Sequence, residues 1–244
     1  TKNISAHFKS EFEFYKDEME DTTYLKPKIF TNYVFKGPVL EWYFKTKWNL
    51  EAKNYTYYNE LIGDRKNILD VGCGYGYLSF YLHYKNENRV ITGIDYDEDK
   101  ILIAQNSYNK TENLQFRYED IIFSDMANQD IIFLNDILHY LSEEKQQITL
   151  DRCAKALNPG GIIFIRDGIT DLKEKHKNTE RTEALSTGLF SFNKKDSEFH
   201  FFSSSDIRTF AKKNQLDFEM QEHSKNTSNV LIILRKPSFY SVTE

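Results

Sequence analysis

Asn67-Ile68-Leu69-Asp70-Val71-Gly72-Cys73-Gly74-Tyr75-Gly76 decides the reading of this chain. It reads as a short buried strand running into a glycine turn that opens a helix, expected over Tyr77 to Tyr84. Glycines at alternate positions leave no Cβ between a ligand and the backbone, and they let the chain turn sharply. The helix behind them aims its free N–H groups at whatever lies in the turn. A nucleotide-like ligand is the natural occupant.

Spacing narrows the ligand. The dinucleotide fingerprint is G-x-G-x-x-G, whereas this run is G-x-G-x-G, with Asp70 two residues before it and Leu78 after. A second strand, expected over 89–95, ends in Asp95, where a carboxylate can accept from both ribose hydroxyls. A third, over 113–118, runs into Glu119-Asp120, and a fourth, over 129–135, ends in Asn135-Asp136. Acids at three successive strand ends suit a ligand with a ribose, an amino-bearing purine and an ammonium group. They suit a pyrophosphate poorly, which weighs against an NAD-type oxidoreductase.

With these residues in view, the chain resembles class I S-adenosylmethionine (SAM)-dependent methyltransferases from about Asn67 to Lys236. The resemblance rests on five segments in order: Asp70 to Gly76, Gly93-Ile94-Asp95, Glu119-Asp120, Asn135 to Leu141, and Leu157-Asn158-Pro159-Gly160-Gly161. It implies an α/β Rossmann-like fold, a seven-stranded, mostly parallel sheet with helices on both faces. The implied cofactor is SAM, with S-adenosylhomocysteine as product. Asp70, Gly72, Gly74 and Gly76 would line its amino acid and ribose, and Asp95 would take the ribose hydroxyls. Tyr96 would flank the adenine, Asp120 and the Ile121 backbone would meet its amino edge, and Asn135 would stand at the ammonium. A narrower resemblance, on Lys36 to Tyr43 and Leu185 to Asn193, is to methyltransferase domains of bacterial aryl-polyene and flexirubin-type pigment pathways. It implies a phenolic aryl head group as acceptor, in some cases carrier-bound.

Composition sets outer bounds. A chain of 244 residues with 40% hydrophobic content fits one decorated α/β domain. No apolar run approaches the ~18 residues of a membrane span, and the charged, aromatic N-terminus lacks a secretory h-region. Two cysteines, Cys73 and Cys153, fall in the glycine turn and in an expected helix, so no disulfide is expected and a cytoplasmic setting fits. The net charge of −5, with no long basic block, argues against nucleic acid as partner. Asn135-Asp136-Ile137-Leu138 also lacks the Asn/Asp-Pro-Pro-aromatic run of enzymes that methylate nucleic-acid amino groups, so a small-molecule substrate is favoured. The Thr1 start leaves a domain of a longer polypeptide open.

The chain divides into an aromatic-rich helical extension, 1–60, and a methyltransferase domain, 61–244, with an insertion over 168–200. Phe8, Phe12, Tyr15 and Met19 recur at helical spacing, and Gly37-Pro38 reads as a second helix start. The extension's many aromatics either pack helices onto the sheet or form a lid over a flat substrate. Beyond the glycine turn, helices are expected over 98–109 and 143–156, and strands over 161–167, 217–222 and 228–235. Ser203 to Asp206 reads as the cap of a further helix ending near Asn214. Ligands of such sheets bind at the C-terminal strand ends, and the insertion leaves from that rim. Loops on a rigid scaffold commonly carry specificity.

A phenol with a pKa near ~10 holds little phenolate at neutral pH, so a base is sought. Of six histidines, His139, which follows the fourth strand, and His200, which closes the insertion, are the catalytic candidates. His176, Tyr33, Tyr140 and Asp167 are candidates for holding the acceptor, whereas His83 is expected at the surface and His7 and His223 away from the rim. Asp136, Asp167 and Asp171 could converge on a divalent cation, but strand-end acids already suit SAM, so no metal is expected. The expected activity is methyl transfer from SAM to the oxygen or ring carbon of a small phenol. The remaining readings are transfer to a carboxylate or amine of another metabolite, and a non-catalytic SAM-binding module of a larger assembly.

Overall fold

The computed structural model describes residues 21–33, 37–126, 128–171, 199–222 and 229–238. Seven strands build one sheet: β1 (Asn67–Val71), β2 (Val90–Asp95), β3 (Leu114–Tyr118), β4 (Gln129–Asn135), β5 (Leu157–Gly168), β6 (Asp217–Glu222) and β7 (Asn229–Arg235). Their order is β3-β2-β1-β4-β5-β7-β6. The first five strands are mutually parallel, while β7 runs antiparallel to both β5 and β6. Chain order reverses between β1 and β4, and the crevice outside the C-terminal ends at such a switch is where ligands of open α/β sheets bind.

Neighbouring residues of each strand point to opposite faces. Ile68, Ile131, Phe133, Ile162 and Phe164 therefore join one core, and Leu69, Val71, Ile132, Leu134, Ile163 and Ile165 the other. The first core is closed by α1 (Asp21–Phe30), α2 (Pro38–Ile62), α3 (Tyr77–Lys85) and α4 (Glu98–Gln105). The second is closed by α5 (Glu143–Ala156) and α6 (Ser204–Lys213). Two buried faces explain why these strands read as continuous apolar runs.

Helix α2 begins where Gly37-Pro38 predicts, with proline at the first turn. Its buried positions, Phe44, Trp48, Glu51, Tyr55, Tyr58 and Ile62, follow helical spacing along one stripe. Tyr58 is fully buried and meets Phe133 and Phe164 at ring distances of 5.0 and 5.1 Å. Phe44, Trp48, Tyr55 and Tyr58 of this helix are core material, whereas Trp42 is exposed. Helix α6 carries the full capping box, Ser203 with Asp206. Helix α4 ends at Gln105, four residues short of the expected 109, because the Asn106 N–H closes the helix on Leu102 and Ser107 bridges to Tyr33. The expected N-terminal amphipathic helix, and most of the insertion, lie outside the described residues. Among the described residues, no helix is long and apolar enough to cross a membrane.

Candidate functional site

The glycine turn is built for close approach. Gly72, Gly74 and Gly76 all have positive φ, at 69°, 53° and 79°, a region that side chains make costly. Ile137 packs so tightly on Gly72, and Phe116 on Gly76, that a Cβ at either would overlap them. Gly74 differs: among the described residues, its would-be Cβ meets Lys100 Cδ, at 3.8 Å, and nothing nearer. Its open backbone face fits a bound nucleoside, which is the cradle SAM requires. The Tyr33 hydroxyl donates to the Tyr75 carbonyl at 2.7 Å and pins the turn from its outer side.

Asp95, at the end of β2, is nearly buried and accepts from Gly74 N at 2.7 Å and Asp97 N at 2.8 Å. Burial pushes its carboxyl above the ordinary range, opposed by those N–H groups and by Lys100. Asp70 lies beneath the turn and accepts from Ser79 Oγ at 2.6 Å. Burial outweighs that bond and, with the Asp95 charge, raises Asp70 to about 7. Tyr96 is exposed beyond β2, and Asp120 is exposed beyond β3, where its carboxylate accepts from Ile122 N at 2.9 Å. Ile121 is buried beside it. Asn135 ends β4, and its Oδ1 lies 3.5 Å from the Tyr58 hydroxyl. The residues implied for the SAM pocket thus share the C-terminal rim.

A charged cluster stands beside Asn135. Arg166 of β5 donates to Asp136 at 2.6 Å through one terminal nitrogen and meets Glu51 of α2 at 2.9 Å through the other. Lys47 of α2 lies 3.4 Å from the same Asp136 oxygen. Burial would raise the Asp136 carboxyl, but the Arg166 and Lys47 charges outweigh it and hold it at about 2. Asp136 itself has a φ of 53°, and its N–H bonds Arg166 O at 2.7 Å.

One residue past this cluster's turn, the chain enters a short 3₁₀ turn, Leu138–Tyr140. His139 is 1% exposed, and its Nδ1 lies 2.6 Å from Asp167 Oδ1. The Asp167 carboxylate also accepts from Leu138 N, His139 N and Gly168 N at 2.9, 3.3 and 2.7 Å. Phe201 stacks on the His139 ring at 5.3 Å, Phe199 meets it edge-on at 5.7 Å, and Tyr140 lies 4.1 Å away. The Gln146 amide holds this arrangement together by donating to the Leu138, Leu141 and His200 carbonyls.

Several expected positions need correcting. Tyr33 is 1% exposed with its hydroxyl committed to Tyr75, so it buttresses the glycine turn and does not face an acceptor. Asp167 is wholly buried with its oxygens occupied, so it orients His139 and is out of an acceptor's reach. His83 is buried because α1 covers the outer side of α3, where the Tyr84 hydroxyl bonds Asn32 at 2.8 Å. That burial lowers the His83 pKa. Asp136, Asp167 and Asp171 take separate partners, the last bonding Ser204. His200 joins His139 through its backbone, N–H to carbonyl at 2.9 Å. His7, His176 and His223 lie outside the described residues.

Sequence reasoning missed Lys47, Glu51, Arg166, Gln146, Phe199 and Phe201. Arg166 left a signal, a charge that directly follows the apolar run Ile162-Ile163-Phe164-Ile165 within the expected strand. Lys47 and Glu51 left a weaker one, charges spaced four apart on the aromatic stripe of a helix.

Comparison with known proteins agrees with this geometry. The ubiquinone biosynthesis O-methyltransferase of Coxiella burnetii is 32% identical over 102 residues, 41% of this chain and 42% of that protein. The malonyl-[acyl-carrier protein] O-methyltransferase 2 of Ilyobacter polytropus is 31% identical over 119 residues, 47% of this chain and 45% of that protein. The match thus spans less than half the length of either relative. Among solved structures, the magnesium protoporphyrin IX methyltransferase of Synechocystis PCC 6803, with bound S-adenosylhomocysteine, has the same fold. It superposes with a TM-score of 0.60 at 15% identity, over 89% of this chain and 100% of that one. Human N-acetylserotonin methyltransferase in complex with SAM gives 0.56 at 19%, over 78% of this chain and 52% of that one. The family model described as a methyltransferase domain matches residues 62–228. From the glycine turn to β7, this chain belongs to the methyltransferase-domain family of SAM-dependent enzymes.

Proposed function

We propose that this protein methylates a small phenolic acceptor, at oxygen or at the adjacent ring carbon, with His139 as general base. SAM supplies the methyl group on a sulfonium, open to in-line displacement. The chain supplies orientation and a proton acceptor. The observation that carries the proposal is the 2.6 Å contact between His139 Nδ1 and Asp167 Oδ1. A carboxylate at Nδ1 fixes the tautomer with its proton there, which makes Nε2 the basic nitrogen of the ring. The phenol's O–H gives its proton to Nε2, and the oxygen then attacks the methyl and releases S-adenosylhomocysteine; where the neighbouring ring carbon attacks instead, that carbon afterwards loses its own proton and the ring regains aromaticity. A positioned base of this kind contributes about 10²–10⁴-fold. Three backbone N–H groups hold Asp167 still, so the ring it orients is preorganised.

The surroundings of His139 support a flat acceptor. Tyr140, Phe199 and Phe201 place three aromatic rings around it, and aromatic faces favour another ring. The motifs at Lys36–Tyr43 and Leu185–Asn193 support an aryl-polyene head group, free or carrier-bound. Cys73 and Cys153 are free thiols, the state a cytoplasmic protein keeps. Helix α2 serves as one wall of the site.

The test is a screen of phenolic acids with methyl-labelled SAM, each product located by mass spectrometry. Label on the phenol oxygen or the neighbouring carbon is the expected result. Label only on the carboxyl group, or on an amine offered in the same screen, would overturn the phenolic reading.

A further inference from the structure

The cation at the end of β4 has no part in the proton transfer. Lys47 presents an ammonium with three donors. Its polar partner among the described residues is Asp136, at 3.4 Å, longer than the ~2.7–2.9 Å of a charge-assisted bond. Asp136 has its short contact elsewhere, with Arg166 at 2.6 Å, and Arg166 is completed by Glu51. The Lys47 side chain is 35% exposed, so the ammonium is held near the carboxylate with donors to spare.

Its position is set by two packing contacts. Ile137 fills the space over Gly72, which brings the Asp136 turn against the glycine turn. One helical turn before Lys47, Tyr43 meets Tyr75 of the glycine turn at 5.7 Å. Helix α2 therefore touches both the glycine turn, through Tyr43, and the end of β4, through Lys47 beside Asp136. Asp136 holds a left-handed conformation that non-glycine residues rarely adopt, and such conformations cluster at binding sites.

We infer that Lys47 and Asp136 form the subsite for the α-amino-acid head of SAM, Lys47 taking its carboxylate and Asp136 lying beside its ammonium. A loose ion pair is complementary to a zwitterion: it opens, and each member gains a short contact of opposite charge. The inference rests on the SAM reading and goes beyond it by naming the head-group residues.

The test compares two probes by calorimetry. S-adenosylhomocysteine carries the amino-acid head, and methylthioadenosine is the same nucleoside thioether without it. In Lys47→Met, affinity for S-adenosylhomocysteine should fall about tenfold or more, the size of a lost charge-assisted contact, while affinity for methylthioadenosine stays. Lys47→Arg should restore most of the loss, and Lys45→Met, on the exposed side of the same helix, should change neither. An equal loss for both probes would make Lys47 structural and overturn the assignment. Unchanged S-adenosylhomocysteine affinity with a raised KM for a carboxylate-bearing acceptor would move the subsite to the acceptor and also overturn it. A wild-type protein that binds neither probe would remove the SAM reading itself.

Discussion

His139 Nδ1 stands 2.6 Å from Asp167 Oδ1, and the two side chains are 2% and 0% exposed. Asp167 lies in β5, and His139 in the 3₁₀ turn that follows the adjacent parallel strand β4, so a sheet residue fixes the ring of a turn residue. Asp167→Asn keeps the size of the side chain but offers an amide where a carboxylate accepted. The expected result is a fall in kcat of about 10²-fold or more, with affinity for S-adenosylhomocysteine retained. Single-turnover rates measured beside a binding titration check both halves.

Asp95 binds the glycine turn to the end of β2 through Gly74 N and Asp97 N. Asp95→Ala should therefore weaken S-adenosylhomocysteine by about tenfold or more, since it loosens the turn and, on the proposed assignment, removes the ribose acceptor. An unchanged dissociation constant in a folded variant would contradict the cofactor assignment.

Half-buried Asp136 and buried Asp70 should bend the stability curve in opposite directions. Asp136 is held at about 2 against an ordinary 3.8, so the folded state binds its proton less well than the unfolded state. Its stabilisation, of order 2 kcal/mol, is present above roughly pH 4 and lost as pH falls towards about 2. Asp70 is raised to about 7 from 3.8, so the folded state holds that proton more tightly. Stability should decline as pH rises from roughly 4 to about 7. Asp70→Asn should shrink the decline and leave the share of Asp95, whose carboxyl burial also raises, and Asp136→Asn should flatten the acid limb. Urea unfolding across pH reads both, and an undiminished decline in Asp70→Asn would assign it elsewhere.

Gly72 and Gly74 share positive φ but not surroundings. An alanine at either pays the left-handed penalty of about 1–2 kcal/mol. Only at Gly72 does the new Cβ also overlap Ile137, adding about 1–3 kcal/mol of overpacking. Gly72→Ala should lower Tm clearly more than Gly74→Ala. Gly74→Ala should instead act on ligand affinity, because its open face is where the ligand approaches. Equal Tm losses would mean that backbone strain alone matters.

What the sequence made legible was whatever local chemistry decides. The apolar runs ending in Asp95, Asn135 and Asp167 set the parallel strands, because a strand buried on both faces can be little else. Gly37-Pro38 and the Ser203–Asp206 box set two helix starts, since caps act within one turn. Contacts between distant segments were illegible. Nothing local says that Tyr33 turns its hydroxyl onto Tyr75, 42 residues away, or that Glu51 finds Arg166 across the rim. His83 looked like a surface residue because α3 is judged alone in sequence, whereas α1 covers it in the fold. Asp167 was legible as a rim carboxylate, but its burial follows from four donors that only the folded turn assembles.

The most direct test of the mechanism pairs His139→Ala with wild type in single-turnover methylation of a phenolic acceptor, with S-adenosylhomocysteine titrated into both. The mechanism predicts a rate about 10²–10⁴-fold lower in the variant, recovering as pH approaches the acceptor's own pKa, with the cofactor bound equally well. A variant that methylates at the wild-type rate at neutral pH would contradict it.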